Sequence, residues 1–567
     1  MKTNYGKLGQ ESMNSLKDTL ERAADVQLQL LAELMCRNCE TVYGKKYGFG
    51  EIRTAGEFQK KVPLSVYGNY ADYILRMIAG EERVLTEEPA VYYCISSGTT
   101  GDAKYLPLTE TDLKIQYTYA YGVLFGMVKE YYRDLPEEEV FGKIFQIGEF
   151  AKTYMENGTM NGIRSGCVYQ WLDRDGKFDS GDYCVPKEVL FPDTLEDLLY
   201  VKVRFALAEE ELRAIHGVFI NRAAGVMDYI WRNWEMLLRD MEHGSVDECV
   251  GLSPRWREYV ERKLPPNPLR AAQLRLLSHE TLRENMIKKI WPKVRYVLAI
   301  GGKSFAHYTK KMKEYAGDIP IHPYAYAASE GIFGIAEKMD QPDRYILFPE
   351  AGFFEFLPLN EGQVEENRPL FMWEISTGER YELVFTNHSG LYRYCMGDVI
   401  EVIGWYGQAP IVQFCYRKNQ VINIAGEKSN QEQLAEAIKR FAFCMRCEVM
   451  GYCVQEDMSD LLPRYQFYLE CTDINSSGAE DILDDCLCRV NYEYQGCRKM
   501  NEIGKVRISY LRAGSFERYE EHLAKSGKQM GQHKQACILD TAEKKQFFAA
   551  QENSYRKIRE IPKDHVS

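Results

Sequence analysis

The stretch Ser96-Ser97-Gly98-Thr99-Thr100-Gly101-Asp102-Ala103-Lys104 has the residue types of an anion cradle. Its glycines let the backbone turn tightly and present N–H groups, while the hydroxyls and Lys104 add donors. The spacing differs from a P-loop, because the glycines stand three apart and neither Ser nor Thr follows the Lys. Composition alone also fits a flexible hairpin loop. A second string, Tyr324 to Gly331 (YAYAASEG), places Ser329 beside Glu330 at a strand end. A carboxylate next to a hydroxyl suits Mg²⁺ and an adjacent phosphate, and Tyr326 can lie against a base; the same Ser-Glu pair is equally a helix cap. In a third, Gly390 to Asp398 (GLYRYCMGD), an Asp after a Gly turn can accept two bonds from a ribose diol, or simply be part of a turn. A fourth runs from Arg417 through Asn423-Ile424-Ala425-Gly426-Glu427-Lys428, where a Gly among charges suits a hinge that carries a cation. Lys534, in QMGQHK at 529–534, lies on a Gly-containing stretch that means nothing alone.

These strings must be held by regular elements. Leu16, Leu20, Ala23, Ala24, Leu28, Leu31 and Met35 recur at three- and four-residue steps and predict one long opening helix. Val91–Ile95 and Tyr105–Leu108 read as strands on either side of the first polar loop, and Thr111–Tyr132 and Ile215–Glu242 read as helices. From Val294 onward, strand, helix (Tyr308–Tyr315) and strand predict an α/β domain with a partly parallel sheet. Gly turns between Tyr345 and Val402 predict a mostly antiparallel subdomain. A separate last portion reads β-α-β-β-α-β, with strands at Gln420–Ile424, Glu448–Val454, Tyr465–Cys471 and Val506–Leu511, and helices at Gln431–Phe441 and Ala479–Val490.

The chain has 567 residues, 45% hydrophobic and 27% charged, enough for two to four domains of about 150 residues. With 71 Lys and Arg against 83 Asp and Glu, its net charge is −12, which argues against general nucleic-acid binding. No apolar run has the roughly 20 residues a membrane span needs, and the first 15 residues lack a signal core, so a cytoplasmic protein is expected. Cys36 with Cys39 and Cys444 with Cys447 have ligand-like spacing but no glycine knuckle or neighbouring second pair, so the sixteen cysteines read as reduced thiols.

In order, VPLSVYGNYADYILRMIAGE at 62–81, SSGTTGDAKYLPLT at 96–109, IGGKSFAHY at 300–308, YAASEG at 326–331, GLYRYCMGDVI at 390–400 and NIAGEK at 423–428 resemble the acyl acid amido synthetases. This is the auxin-responsive family within the adenylate-forming enzymes. The resemblance implies an α/β fold, with a large N-terminal adenylation domain to about residue 425 and a small mobile α+β lid from 426 to 567. It implies a ligase that uses ATP and Mg²⁺ to activate a carboxylic acid as an acyl adenylate, then passes the acyl group to an amino acid amine. By analogy Ser96, Ser97 and Thr99 cradle phosphates, Tyr326 packs on adenine, and Ser329 meets the α-phosphate. Glu330 holds the metal, Asp398 takes the ribose hydroxyls, and Arg417 belongs to the nucleotide-binding set. Lys428 is the first candidate for a mobile cation at the adenylate, and Lys534 the second. The acyl pocket is expected between residues 115 and 235, and His216, His307, His322 and His388 are candidates by type for a base in the amide step. The partners implied are small molecules, with no membrane or nucleic acid, and a monomer is expected. Related chemistries with a coenzyme A or carrier-thiol acceptor, or a non-catalytic nucleotide switch, remain open. Three anions entering a protein of charge −12 require a locally cationic cleft, with Lys104, Arg393, Lys428 and Lys534 as the candidates.

Overall fold

Apolar runs without polar alternation need cover on both faces, and YVLAI at Tyr296–Ile300 is such a run. It lies inside a four-stranded parallel sheet ordered Lys143–Gln146, Leu212–Phe219, Tyr296–Ile300, Ile321–His322. Leu212–Phe219 corrects the sequence reading, which carried a helix back to Ile215. The helix begins at Ile220 and runs to Arg232, followed by Trp234–His243. A continuous apolar run suits a buried helix or a buried strand equally, and only the flanking partner strands decide between them. The opening helix likewise divides at Arg22, into Tyr5–Glu21 and Ala23–Arg37.

The computed structural model describes residues 4–97, 103–148, 150–193, 198–301, 306–339, 341, 343–360, 363–364, 369–417, 422–429, 431–460, 462–471, 478–516, 518–519, 522, 538–539 and 542–552. Two units are present, one of residues 1–96 and 104–418, the other of residues 97–103 and 419–567. In the first, a nine-stranded antiparallel sheet extends the expected Tyr345–Val402 region in both directions, from Ala325–Ala328 to Ala409–Arg417. A smaller sheet joins Ala103–Thr109, Ala90–Ser97, Met160–Gly162 and Thr153–Tyr154. The helix expected over 111–132 is present, but its turns at Gln116–Gly122 widen to π geometry between Glu110–Ile115 and Val123–Tyr131. The first helix packs against it through paired glycines. A Cβ on Gly9 would stand 2.5 Å from the Gly126 nitrogen, so the two backbones are in direct contact there.

The second unit has the helix Gln431–Met445, strands Val449–Asp457 and Arg464–Cys471, helices Ala479–Val490 and Tyr492–Lys499, and strand Arg507–Tyr510. The first two strands are antiparallel and the third is parallel to the second. Of the strand expected at 420–424, Ile422 makes an antiparallel bridge to Ser429. Leu434, Phe441, Tyr465, Phe467 and Leu487 share its core.

One buried ion pair joins distant parts of the large unit. Arg393, in the left-handed region at φ +50, sends Nε and Nη2 to both oxygens of Glu355 at 2.9–3.1 Å and Nη1 to the carbonyls of Gln59 (2.8 Å) and Val62 (2.6 Å). Glu355→Ala would leave this guanidinium buried without a counter-charge, a change that costs about 3–5 kcal/mol. We expect the variant to unfold at clearly lower temperature or urea concentration than the wild type. An unchanged midpoint would show that the pair does not hold these segments.

Candidate active site

The strand Ala325–Ala328 and the following Gly331–Ala336 form a hairpin whose two-residue turn is Ser329-Glu330. Two neighbours along the sheet, Ala409–Arg417 pairs with Tyr394–Tyr406 so that Asp398 lies opposite Arg417. This topology brings together residues 72 apart in sequence: the Tyr326 hydroxyl donates to Asp398 Oδ2 at 2.8 Å. Both side chains are buried, and the Tyr326 ring is flanked by Phe333, Tyr345 and Phe414 at centroid distances of 5.1–6.1 Å. Arg417 ends its strand opposite Asp398.

Glu330 is 8% exposed, and its backbone carbonyl accepts from Asn387 Nδ2 at 2.9 Å. Among the described residues no hydrogen bond or ion pair is recorded to its carboxylate. A mostly buried carboxylate at a strand end suits a hard cation. The next residue must be small, because a Cβ at Gly331 would come within 2.7 Å of the Phe385 ring. Ser329 is half-buried, and its carbonyl accepts from Arg164 Nη1 at 3.4 Å.

Arg164 was not singled out in the sequence. It opens the helix Arg164–Arg174, pairs with Asp112 through Nη2, and donates from Nε to Gln116 Oε1 at 3.0 Å. Burial works against its charge, but the charge of Asp112 and the nearby thiols outweigh burial and raise its pKa. The thiols of Cys94 and Cys167 are pushed up by burial, Cys167 to about 12, which leaves them as inert packing groups. Asp112, Gln116, Asn387 and Ser389 were also missed. The usable signal was positional, since Asn387 and Ser389 immediately precede the GLYRYCMGD string and Asp112 follows the strand that leaves the phosphate-type loop.

Ser96 and Ser97 end the strand Ala90–Ser97, whereas Thr99 lies outside the described residues, as does Lys534. Lys104 is the second residue of the strand Ala103–Thr109, with its ammonium 5.3 Å from the centre of the Tyr67 ring. Arg393 is not a cleft cation, because Glu355 neutralises it inside the protein. Of the histidines proposed by type, the side chain of His307 lies outside the described residues, and the other three are internal. His216 and His322 sit on the parallel sheet, where burial lowers both to about 3 and keeps them neutral. His388 is lowered by burial too, and its Nε2 bonds the Glu350 carbonyl at 2.9 Å.

In the small unit, Lys428 has its backbone held from both sides. Its N–H donates to Glu493 Oε2 at 3.2 Å, and its carbonyl accepts from Asn491 Nδ2 at 3.1 Å. No described residue is recorded as bonding its ammonium. The preceding Glu427 is fully buried and accepts from the Ile424 (2.7 Å) and Ala425 (2.6 Å) N–H groups and the Tyr465 hydroxyl (2.8 Å). It thereby folds the NIAGEK string into a closed loop.

The solved structure described as "AtGH3.15 acyl acid amido synthetase in complex with 2,4-DB" is similar to this chain with a TM-score of 0.66 at 22% identity, covering 98% of each chain. The fold is thus that of the acyl acid amido synthetases. Models of the GH3 family match at 12–321 (N-terminal domain), 345–417 (central domain) and 432–543 (C-terminal domain), and the chain belongs to this family. Jasmonoyl–L-amino acid synthetase GH3.5 of Oryza sativa subsp. japonica is 28% identical over 94% of this chain and 96% of its own length. Indole-3-acetic acid-amido synthetase GH3.3 of Arabidopsis thaliana is 25% identical over 90% and 88%.

Burial raises the Glu427 carboxyl from 4.5 to about 7, against the opposing pull of its three donors. A carboxyl with a raised folded-state pKa contributes stability that is complete below about 4.5 and lost as pH rises through about 7. Glu427→Gln should remove this slope. Hydrogen exchange in strands Val449–Asp457 and Arg464–Cys471 would show the wild type losing up to about 3 kcal/mol of protection relative to the variant over that range. Parallel profiles would contradict it.

Proposed function

We infer that this protein is an ATP-dependent acyl acid amido synthetase that joins a small carboxylic acid to an amino acid. In the first step a carboxylate oxygen attacks the α-phosphorus of ATP. An O–P bond forms, the bond to the bridging oxygen breaks, and pyrophosphate leaves. In the second step the neutral amine attacks the acyl carbon; AMP departs, the amine loses a proton, and an amide remains. Phosphoryl and acyl transfer of this kind depend mainly on positioning and charge stabilisation.

The observation that carries the assignment of the site is the Tyr326–Asp398 hydrogen bond, which unites two of the resembling strings in one buried place. On this reading Tyr326 packs on adenine and Asp398 receives the ribose hydroxyls. Ser96, Ser97 and Thr99 cradle phosphates, Ser329 meets the α-phosphate, and Arg417 completes the nucleotide-binding set. The Glu330 carboxylate, mostly buried beside Ser329, would hold Mg²⁺. Bound there, the metal supplies neutralisation of phosphate charge. Lys428 is preferred over Lys534 as the lid cation, since its backbone is pinned while no described residue is recorded as holding its ammonium. We read residues 1–425 as the adenylation domain and 426–567 as a lid that moves between the two steps. The acids and amino acids named for the two relatives set the substrate class to test first, small organic acids and free amino acids. The reading also takes the protein as a cytoplasmic monomer that acts away from membrane and nucleic acid. No described helix is long and apolar enough to cross a membrane, and the net charge is −12.

Incubating the protein with ATP, Mg²⁺ and a panel of carboxylic acids should release pyrophosphate in an acid-dependent way. Adding amino acids should then give amide and AMP. A thioester formed with coenzyme A in place of an amide would refute the amido synthetase reading. Glu330→Gln, which keeps the shape and removes the charge, should slow acid-dependent pyrophosphate release by at least about 10²-fold. Wild-type release by that variant would refute the metal-holding role.

A further inference from the structure

Ser329 and Glu330 form a two-residue hairpin turn, because Gly331 pairs with Ala328 directly across it. Two-residue hairpins favour turns with φ > 0 at one or both central positions, since only these match the twist of the flanking strands. Neither Ser329 nor Glu330 has positive φ. The hairpin also carries a register shift between Ile332 and Gly334, one turn away. The turn that presents a hydroxyl and a carboxylate to the site is therefore not held by its own conformational preference, and something outside the hairpin must fix it.

The structure supplies such a support at both residues. Arg164 Nη1 reaches the Ser329 carbonyl at 3.4 Å and Asn387 Nδ2 the Glu330 carbonyl at 2.9 Å. The two donors are linked to each other. Asp112 pairs with Arg164 through one oxygen and accepts the Ser389 hydroxyl on the other at 3.0 Å. The Ser389 N–H then donates to Asn387 Oδ1 at 3.0 Å. Ser389 Oγ also accepts the N–H of Thr109, the last residue of the strand leaving the phosphate-type loop, at 3.0 Å. Every side chain in this circuit is buried, so each bond replaces water that cannot enter. Arg164 is suited to its place because its fork serves Asp112, Gln116 and Ser329 at once, which a lysine ammonium on a flexible stem does not do.

We propose that Arg164 and Asn387 are positioning residues for adenylation, which lock the Ser329-Glu330 turn from behind through the Asp112–Ser389 link and so aim its two side chains. They touch neither substrate nor metal. The proposal rests on the amido synthetase reading given above, and it goes beyond that reading by assigning the orientation of the turn to side chains outside the resembling strings. Gln116 extends the circuit to the first residue of the π-helical turns, so the same lock reaches the helix in the region expected to hold the acid.

The test uses the full-length protein and steady-state pyrophosphate release with an accepted acid. Arg164→Lys keeps the charge and loses the fork; Asn387→Asp keeps the shape and loses the donor to Glu330. Each should lower kcat by about 10²-fold, the scale of a misplacement near 1 Å. KM for ATP should stay within about threefold, because the Tyr326 and Asp398 contacts remain. The Mg²⁺ concentration for half-maximal rate should rise in both. Arg164→Ala should recover at least about tenfold in rate with added ethylguanidinium, which refills the vacated donor site, while the wild type gains nothing. Wild-type kcat in both conservative variants would overturn the proposal. So would a loss in which kcat, KM and melting temperature fall together without guanidinium rescue, since that is the signature of a merely structural pair. A wild type that releases no pyrophosphate with any acid would instead remove the functional reading, and this inference with it.

Discussion

A guanidinium that is almost fully buried must have its donors met by fixed acceptors, and at Arg393 they come from two remote parts of the chain. Glu355 supplies the charge from the antiparallel sheet, while Gln59 and Val62 supply carbonyls from the segment that precedes it by nearly three hundred residues. Around this centre the VPLSVYGNY segment is bound along the strand entrance. The Ser65 N–H donates to the Arg393 carbonyl at 3.0 Å, the Cys395 N–H to the Ser65 carbonyl at 2.8 Å, and the Tyr70 hydroxyl to the Tyr392 carbonyl at 2.5 Å. Two of the resembling strings therefore form one structural unit, with VPLSVYGNY serving as the bed for GLYRYCMGD. The cost of burying the charge is offset only while both acceptor sets stay in place, so the strand that carries Asp398 has little freedom to shift.

The same logic of backbone groups held by buried side chains recurs at the hairpin turn and in the small unit. Arg164 and Asn387 hold the carbonyls of the Ser329-Glu330 turn, and Glu427 holds the N–H groups of the NIAGEK loop. At the turn the side chains are long-range, 165 and 57 residues away in sequence, whereas Glu427 acts on the loop it belongs to. Such an arrangement keeps the scaffold preorganised.

Charge distribution follows from these pairings. A chain of net charge −12 has to present cations locally to anionic reactants, yet Arg393 and Arg164 are both consumed inside the large unit. His216 and His322 offer no replacement, because burial keeps them neutral. Several of the cysteines prove to be packing groups, with Cys94, Cys167 and Cys453 buried and in reduced form.

The sequence alone determined the family resemblance, the class of chemistry, the α/β character and the residues whose types suit phosphate, ribose and metal. These are legible because they reside in local strings whose glycines, hydroxyls and charges have their chemical meaning in place. It also announced the antiparallel region and the small α+β portion, since strand length and turn residues are local features. Tertiary structure alone decided that Leu212–Phe219 is a strand, that Arg22 divides the first helix, and that Gln116–Gly122 widens to π turns. It alone decided that Arg393 is a structural cation, where its position in a motif had suggested a functional one. And it alone brought Asp112, Arg164, Asn387 and Ser389 behind the Ser329-Glu330 turn. The physical reason is common to all of these. The energy of a buried polar group or an apolar run depends on the partner across from it, and that partner lies tens to hundreds of residues away, where no local pattern points to it.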